Sequence, residues 1–198
     1  MPWLKDPEGP SHPKIGLTYK ILRKFNRALM STWFRELDIV DNENMPVDGG
    51  VMFVAWHPSG LIDPVLLHAS LPGKLSILAK HTLFDMPLFG RLFTAAGALP
   101  IHRSVDSNDL EKSRRKNAMM LENVGNEISE GGRLLLFPEG KTHAESTGHK
   151  AKTGAARIML MSLRKAEMNG KPKPNLIPVG LHYSNSQKFR ERGAVILE

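Results

Sequence analysis

The sequence contains no cysteine. That excludes disulfide frameworks, thiolate zinc sites and a cysteine nucleophile, and it points to a reducing, intracellular setting. No stretch reaches the roughly 18 apolar residues that a bilayer-spanning helix needs, so any membrane contact is expected to be made from the surface. The amino terminus, Met1-Pro2-Trp3-Leu4-Lys5-Asp6-Pro7, lacks the apolar core and cleavage site of a signal peptide. With only 2 Tyr and 3 Trp among 198 residues, the chain is poor in the aromatics that nucleic-acid surfaces interleave with cations, and nucleic acid is not an expected partner. Internal repeats and low-complexity tracts are also absent. Acidic residues are the minority, 20 against 27 Lys and Arg, and the net charge of +7 favours an anionic partner such as a phosphate-bearing substrate or an anionic lipid surface. The hydrophobic share of 41% is ordinary and argues against wholesale disorder, and at 198 residues the chain is expected to form one domain, or one domain with an appendage.

Residues 1–13, with four Pro and a Gly, are expected to form an irregular arm. Residues 14–40 then predict one basic amphipathic helix. Ile15, Leu22, Phe25, Leu29, Trp33 and Leu37 recur at helical intervals, with Lys20, Arg23, Lys24 and Arg27 on the other side. An ordinary packed helix with a solvated charged face has this pattern. So does an interfacial segment that lays Phe25, Trp33 and Phe34 into the headgroup boundary while its cations meet anionic lipid.

From residue 41 to 198 short apolar runs alternate with helical periods. Strands are predicted at 51–56, 75–79, 97–103 and 133–137, with a final pair beginning at Leu176, and helices at 64–70, 104–130 and 153–167. A further helix is expected to run through Phe93, with His81 before it packed rather than catalytic. The alternation predicts an α/β domain around a mixed, largely parallel sheet flanked by helices, binding ligands beyond the carboxyl ends of its strands. His57, Arg103 and Glu139 each fall at such an end. The last run, Gly193 to Glu198, stops inside a strand-like pattern, so the domain is expected to continue further.

The chemistry concentrates around His57, which closes the run Val51-Met52-Phe53-Val54-Ala55-Trp56 and precedes Pro58-Ser59-Gly60-Leu61-Ile62-Asp63-Pro64. Imidazole moves protons near neutral pH. If Gly60 breaks the strand and a helical turn follows, the Asp63 carboxylate can fold back to accept the imidazole N–H, fixing the tautomer and stabilising the imidazolium. Ser59 lacks the Gly-x-Ser-x-Gly setting of an exposed nucleophile, so the attacking group is expected to come from a substrate. The ordinary alternative is a strand-capping His beside a helix-capping Asp.

In order and spacing, His57 to Pro64, Gly97 to Arg103, Phe137-Pro138-Glu139-Gly140 and Leu176-Ile177-Pro178-Val179 resemble the four blocks of the glycerolipid acyltransferases. These PlsC-like enzymes join an acyl chain from acyl-coenzyme A or acyl carrier protein to glycerol-3-phosphate or lysophosphatidate. The resemblance covers roughly residues 51–181. It implies that His57 is the general base for the acceptor hydroxyl and Asp63 its orienting partner. Arg103 would hold the acceptor's phosphate, a task suited to a guanidinium fork. Glu139 and Gly140 would organise the acceptor site, and Pro178 would shape the acyl-donor side. No cofactor is implied beyond the acyl-coenzyme A or acyl carrier protein co-substrate. No metal is expected, because His57, Asp63, Glu139 and His143 lack a metal-ligand spacing.

Two departures stand out. Five residues rather than four separate His57 from Asp63, and Lys141-Thr142-His143 replaces the common Thr-Arg-Ser, leaving Lys141 to supply the missing charge. The form of residues 137–143, with Lys152-Thr153-Gly154-Ala155-Ala156, looks most like the branch acting on glycerol-3-phosphate or dihydroxyacetone phosphate, favoured here over lysophosphatidate. The expected setting is phosphatidic acid and phospholipid synthesis at the cytoplasmic face of an anionic membrane. Backbone N–H groups near Gly60 or Gly140 are candidate oxyanion donors. The competing readings are a catalytically silent lipid-surface binding domain and an acyl-coenzyme A thioesterase.

Overall fold

The computed structural model of the chain describes residues 3–6, 14–41, 43, 45–46, 48–87, 89–102, 109–140, 150–185 and 188–198. In chain order its elements are α1 (Leu17–Trp33), β1 (Glu36–Val40), β2 (Val51–Ala55), α2 (Ile62–Ser70), β3 (Leu75–Lys80), α3 (Phe89–Ala95), β4 (Ala98–Ile101), α4 (Leu110–Ser129), β5 (Arg133–Leu136), α5 (Gly154–Met168), β6 (Asn175–Tyr183) and β7 (Arg192–Leu197). A 3-10 turn, His81–Leu83, follows β3. The seven strands are ordered β1-β7-β6-β2-β5-β3-β4. The stretch from β6 to β4 is parallel throughout, β7 runs antiparallel to β6, and β1 lies parallel to β7. This is the mixed, largely parallel sheet that the alternation of runs predicts.

Both faces of the sheet are covered, which is why its central strands read as unbroken apolar runs. Val51, Phe53 and Ala55 of β2 pack into one core with Leu66, Leu67 and Leu71 at α2, while Met52 joins a second core with Val124, Ile128 and Ile158 of α4 and α5. Gly97 has φ +82, and a Cβ there would lie 2.2 Å from the Leu75 carbonyl oxygen. Only glycine lets β4 begin so close to β3.

The amino-terminal region corrects two expectations. The helix ends at Trp33 rather than at 40, because Phe34 turns extended (φ −95, ψ 137) and Glu36–Val40 becomes an edge strand paired with β7. Leu37 fits a helical interval, yet it is buried as a strand residue. The two sides of α1 also do not separate as expected, since Lys20 and Lys24 are exposed alongside Phe25 and Leu29 while Arg23 is buried. The polar stripe Tyr19, Arg23 and Asn26 is buried together with Met30, while Leu17, Ile21, Phe25 and Leu29 face outward. Arg23 pairs with Asp6 and donates to the Gly73 carbonyl, and Asp6 accepts the Gly73 N–H at 2.7 Å. Arg27 donates to the carbonyls of Ala69 (2.9 Å) and Leu4 (3.1 Å). Buried guanidiniums need such partners, so the cations hold α1 to the fold and leave its apolar stripe outside. Of the three aromatics expected at a lipid boundary, only Phe25 is exposed; Phe34 is buried and Trp33 packs on the core. Among the described residues no helix is long and apolar enough to cross a membrane.

Candidate active site

β2 delivers the chain to Trp56 and His57 at the carboxyl end of the sheet, and Gly60, with φ +50, turns it into α2. Asp63 therefore lies in the first turn of α2, fully buried. His57 Nδ1 is 2.8 Å from Asp63 Oδ2, which also accepts the Ser59 backbone N–H at 2.7 Å. The second oxygen, Oδ1, accepts the Tyr183 hydroxyl at 2.7 Å. The extra residue between His57 and Asp63 does not prevent their pairing.

A buried carboxylate with three hydrogen-bond partners is fixed in position. It places the imidazole proton on Nδ1, an assignment that follows from this network, and leaves the Nε2 lone pair as the base. Burial and the Asp63 charge together push the Tyr183 hydroxyl far above the usual phenol range, so it remains a donor at any working pH. Phe137 stacks on His57 with ring centroids 4.1 Å apart and planes at 18°, fixing the ring from its face.

His57 lines a cavity of about 910 Å³. Glu139 and Gly140 line it too, Glu139 being 7% exposed. The Gly140 N–H is already taken by the Phe137 carbonyl at 3.0 Å, so it is not an oxyanion donor. A Cβ on Gly140, at φ +69, would lie 2.7 Å from Lys152 Nζ. Lys80, His102 and Lys152 bring cationic or titratable groups to the same cavity. Asn117 clasps the His102 backbone from both sides, accepting its N–H at 2.9 Å and donating to its carbonyl at 2.6 Å. The His81 and His102 rings lie 4.4 Å apart, so His81 is packed against another imidazole. Burial, then His81 and Lys116, lower the His102 pKa against a smaller opposing effect of Asp85.

The structure thus brings His57, Glu139 and Gly140 to one cavity, with Asp63 buried behind His57. Pro178 does not join them: it sits exposed on β6, in register with Val54 of β2. Arg103, Lys141 and His143 lie outside the described residues. Tyr183, Phe137, Lys80, His102 and Lys152 were not expected. Phe137 stands inside a recognised block, but Tyr183 is 120 positions from Asp63 and carries no local signal. Among the described residues, no three of His, Asp and Glu form a cluster able to hold a metal ion.

Chemically, the arrangement of the described residues can act as a base toward a bound hydroxyl. It can take a proton from a hydroxyl brought into the cavity, and Asp63 then stabilises the imidazolium.

The family model described as Acyltransferase matches residues 36–182. A 1-acyl-sn-glycerol-3-phosphate acyltransferase of Chlamydomonas reinhardtii is 30% identical over 126 residues, 63% of this chain and 35% of that protein. The chain thus spans about a third of the length of that curated relative. The crystal structure of the 1-acyl-sn-glycerophosphate (LPA) acyltransferase PlsC from Thermotoga maritima superimposes with a TM-score of 0.61 at 17% identity, covering 91% of this chain and 67% of that one. That likeness shows a shared fold.

Proposed function

The chain belongs to the acyltransferase family, and on that premise we propose that it transfers a fatty acyl group from a thioester, acyl-coenzyme A or acyl carrier protein, to a hydroxyl of a phosphate-bearing glycerol. The observation that carries this reading is the His57–Asp63 pair, 2.8 Å apart, opening on an apolar cavity.

The acceptor hydroxyl gives its proton to His57 Nε2 as its oxygen attacks the thioester carbonyl carbon. The tetrahedral oxyanion collapses, the carbon–sulfur bond breaks, and the departing thiolate takes the proton back from His57. Asp63, backed by Tyr183, stabilises the transient imidazolium. With the Gly140 N–H engaged, the chain at Gly60, beside His57 on the cavity wall, is the candidate among the described residues for stabilising the oxyanion. Lys80, His102 and Lys152 support binding of an anionic headgroup, and the resemblance adds Arg103 and Lys141. Glycerol-3-phosphate and dihydroxyacetone phosphate, favoured by the form of residues 137–143, and lysophosphatidate are the acceptors in this class.

The place of action is the cytoplasmic surface of an anionic membrane, in phospholipid synthesis. The outward stripe Leu17, Ile21, Phe25 and Leu29, flanked by exposed Lys20 and Lys24, supports a peripheral attachment.

The experiment follows free thiol from a long-chain acyl-coenzyme A with each acceptor or none. Acceptor-dependent release is expected. Equal release without acceptor would make the protein a thioesterase, and none with either donor type would make it a silent binding domain.

A further inference from the structure

The cavity that opens at His57 reaches further into the domain than the catalytic pair requires. Leu61, Pro64, Val65 and His68 all line it, and residues three and four apart share one side of a helix. Its wall therefore follows α2 from the turn that precedes it to its last turn. At 1.5 Å per residue, Leu61 to His68 is a depth of about 10 Å. Ile77, Ala96 and Ala98 line the same space, which suits a hydrocarbon chain.

At His68 the lining turns polar. His68 Nδ1 lies 3.0 Å from Nδ2 of Asn26, which reaches in from α1 and also lines the cavity. An amide nitrogen donates, so Nδ1 accepts and the ring proton sits on Nε2, an assignment that follows from this contact. Nε2 is buried and has no hydrogen-bond partner among the described residues. The Tyr19 ring packs beside the imidazole, with centroids 4.7 Å apart, but its hydroxyl already accepts from the Leu75 N–H at 2.9 Å and from Arg23 at 3.0 Å. Burial, then Arg23 and Arg27, keep the ring neutral by lowering its pKa.

A donor sealed from water with nothing to donate to is unfavourable until a partner completes it. The nearby cations do not call for an anion, because Arg23 pairs with Asp6 and Arg27 with the carbonyls of Ala69 and Leu4. A carboxylate held by one neutral donor would remain an unpaired buried charge. The fitting occupant is an uncharged oxygen carried on hydrocarbon. We infer that the transferred acyl chain runs along α2 and that His68, at the far end, binds an oxygen borne by that chain, as in a hydroxy fatty acyl group. The Nε2–H donates to this oxygen. A plain hydrocarbon chain would leave the donor unpaired, so His68 is a specificity-determining residue for the donor. The inference rests on the transferase reading above, because the thioester carbonyl must stand at His57 for its chain to extend along α2. It makes no choice among the acceptors.

The test compares palmitoyl-coenzyme A with forms hydroxylated at carbon 3, 8, 10, 12 or 16, by thiol release with an acceptor and by isothermal titration without one. One distal isomer should bind about fivefold tighter than palmitoyl-coenzyme A and show a kcat/KM higher by the same factor. The carbon-3 isomer, whose oxygen lies near the thioester, should gain nothing. His68→Leu should invert the preference toward palmitoyl, and His68→Gln, which keeps a donor, should retain part of it. Circular dichroism confirms folding, and the wild-type comparison decides the matter if His68→Leu does not fold. Palmitoyl-coenzyme A bound as tightly as every hydroxylated form overturns the inference and leaves the transferase standing. A distal preference that persists in folded His68→Leu also overturns it. Release that no acceptor raises overturns the transferase instead, and the titration then decides the oxygen site by itself.

Discussion

Replacing Tyr183 with Phe removes one oxygen from the protein. The ring stays, and with it the stacking on Phe34, whose centroid is 5.7 Å away at an interplanar angle of 9°. What is lost is the donor to Asp63 Oδ1, on a carboxylate that has no solvent exposure. A buried acceptor deprived of its partner costs about 1–3 kcal/mol, and for a domain of this size 2 kcal/mol lowers Tm by about 4–8 °C. The catalytic consequence is separable. With one donor fewer, the carboxylate that holds the His57 ring is less firmly placed, and kcat should fall several-fold while KM for the acyl donor stays near wild type. Thiol release measured over a range of donor concentrations, with Tm recorded in parallel, tests both. If Tyr183→Phe lowers Tm but leaves kcat in place, Tyr183 supports only the fold, and its role as a positioning residue for the base is refuted.

His57→Ala should abolish acceptor-dependent release and leave Tm within a few degrees of wild type; turnover in the folded variant would remove His57 from the mechanism. Ile21→Glu with Phe25→Glu, both positions 61% exposed, should reduce binding to anionic vesicles by about tenfold or more with Tm unchanged, and undiminished sedimentation with vesicles would argue against the outward stripe as the attachment. His68 is buried, and burial, then Arg23 and Arg27, lower its pKa from 6.5 to about 4. The unfolded chain therefore takes up a proton that the folded protein refuses, so about 3 kcal/mol of stability present above pH 6.5 is lost as the pH falls toward 4. Urea unfolding at pH 7 and pH 4.5 should show this drop in the wild type and a smaller one in His68→Gln; equal drops would count against it.

What was legible in the sequence is what local chain geometry decides. A buried strand, a glycine turn and a helix start bring His57 and Asp63 together within seven residues, so their pairing could be read before the fold was known. The parallel sheet was legible for the same reason, since alternating apolar runs and helical periods force crossovers. Tyr183 reaches Asp63 only because β6 lies beside β2 in the sheet, and nothing near position 183 announces that. The helical period of α1 was visible, but a moment gives an axis without saying which side is inside. Asp6, Gly73 and the Ala69 carbonyl decide it by receiving Arg23 and Arg27. The strand at 36–40 escaped notice because Leu37 suits either period, and the choice is made by β7, far along the chain.

That distant pairing bears on how the protein is made. Glu36 and Arg192 are separated by 156 positions, and β7 completes both neighbours at once, closing the outer side of β6 and receiving β1. On the ribosome, the inner strands from β2 to β6 can assemble in turn. β1 must wait, an unpaired β strand, until nearly all of this sequence has emerged. A nascent chain halted before Arg192 would present two bare strand edges at once. Nascent-chain quality control could recognise that state, which β7 conceals by pairing with β6 and β1.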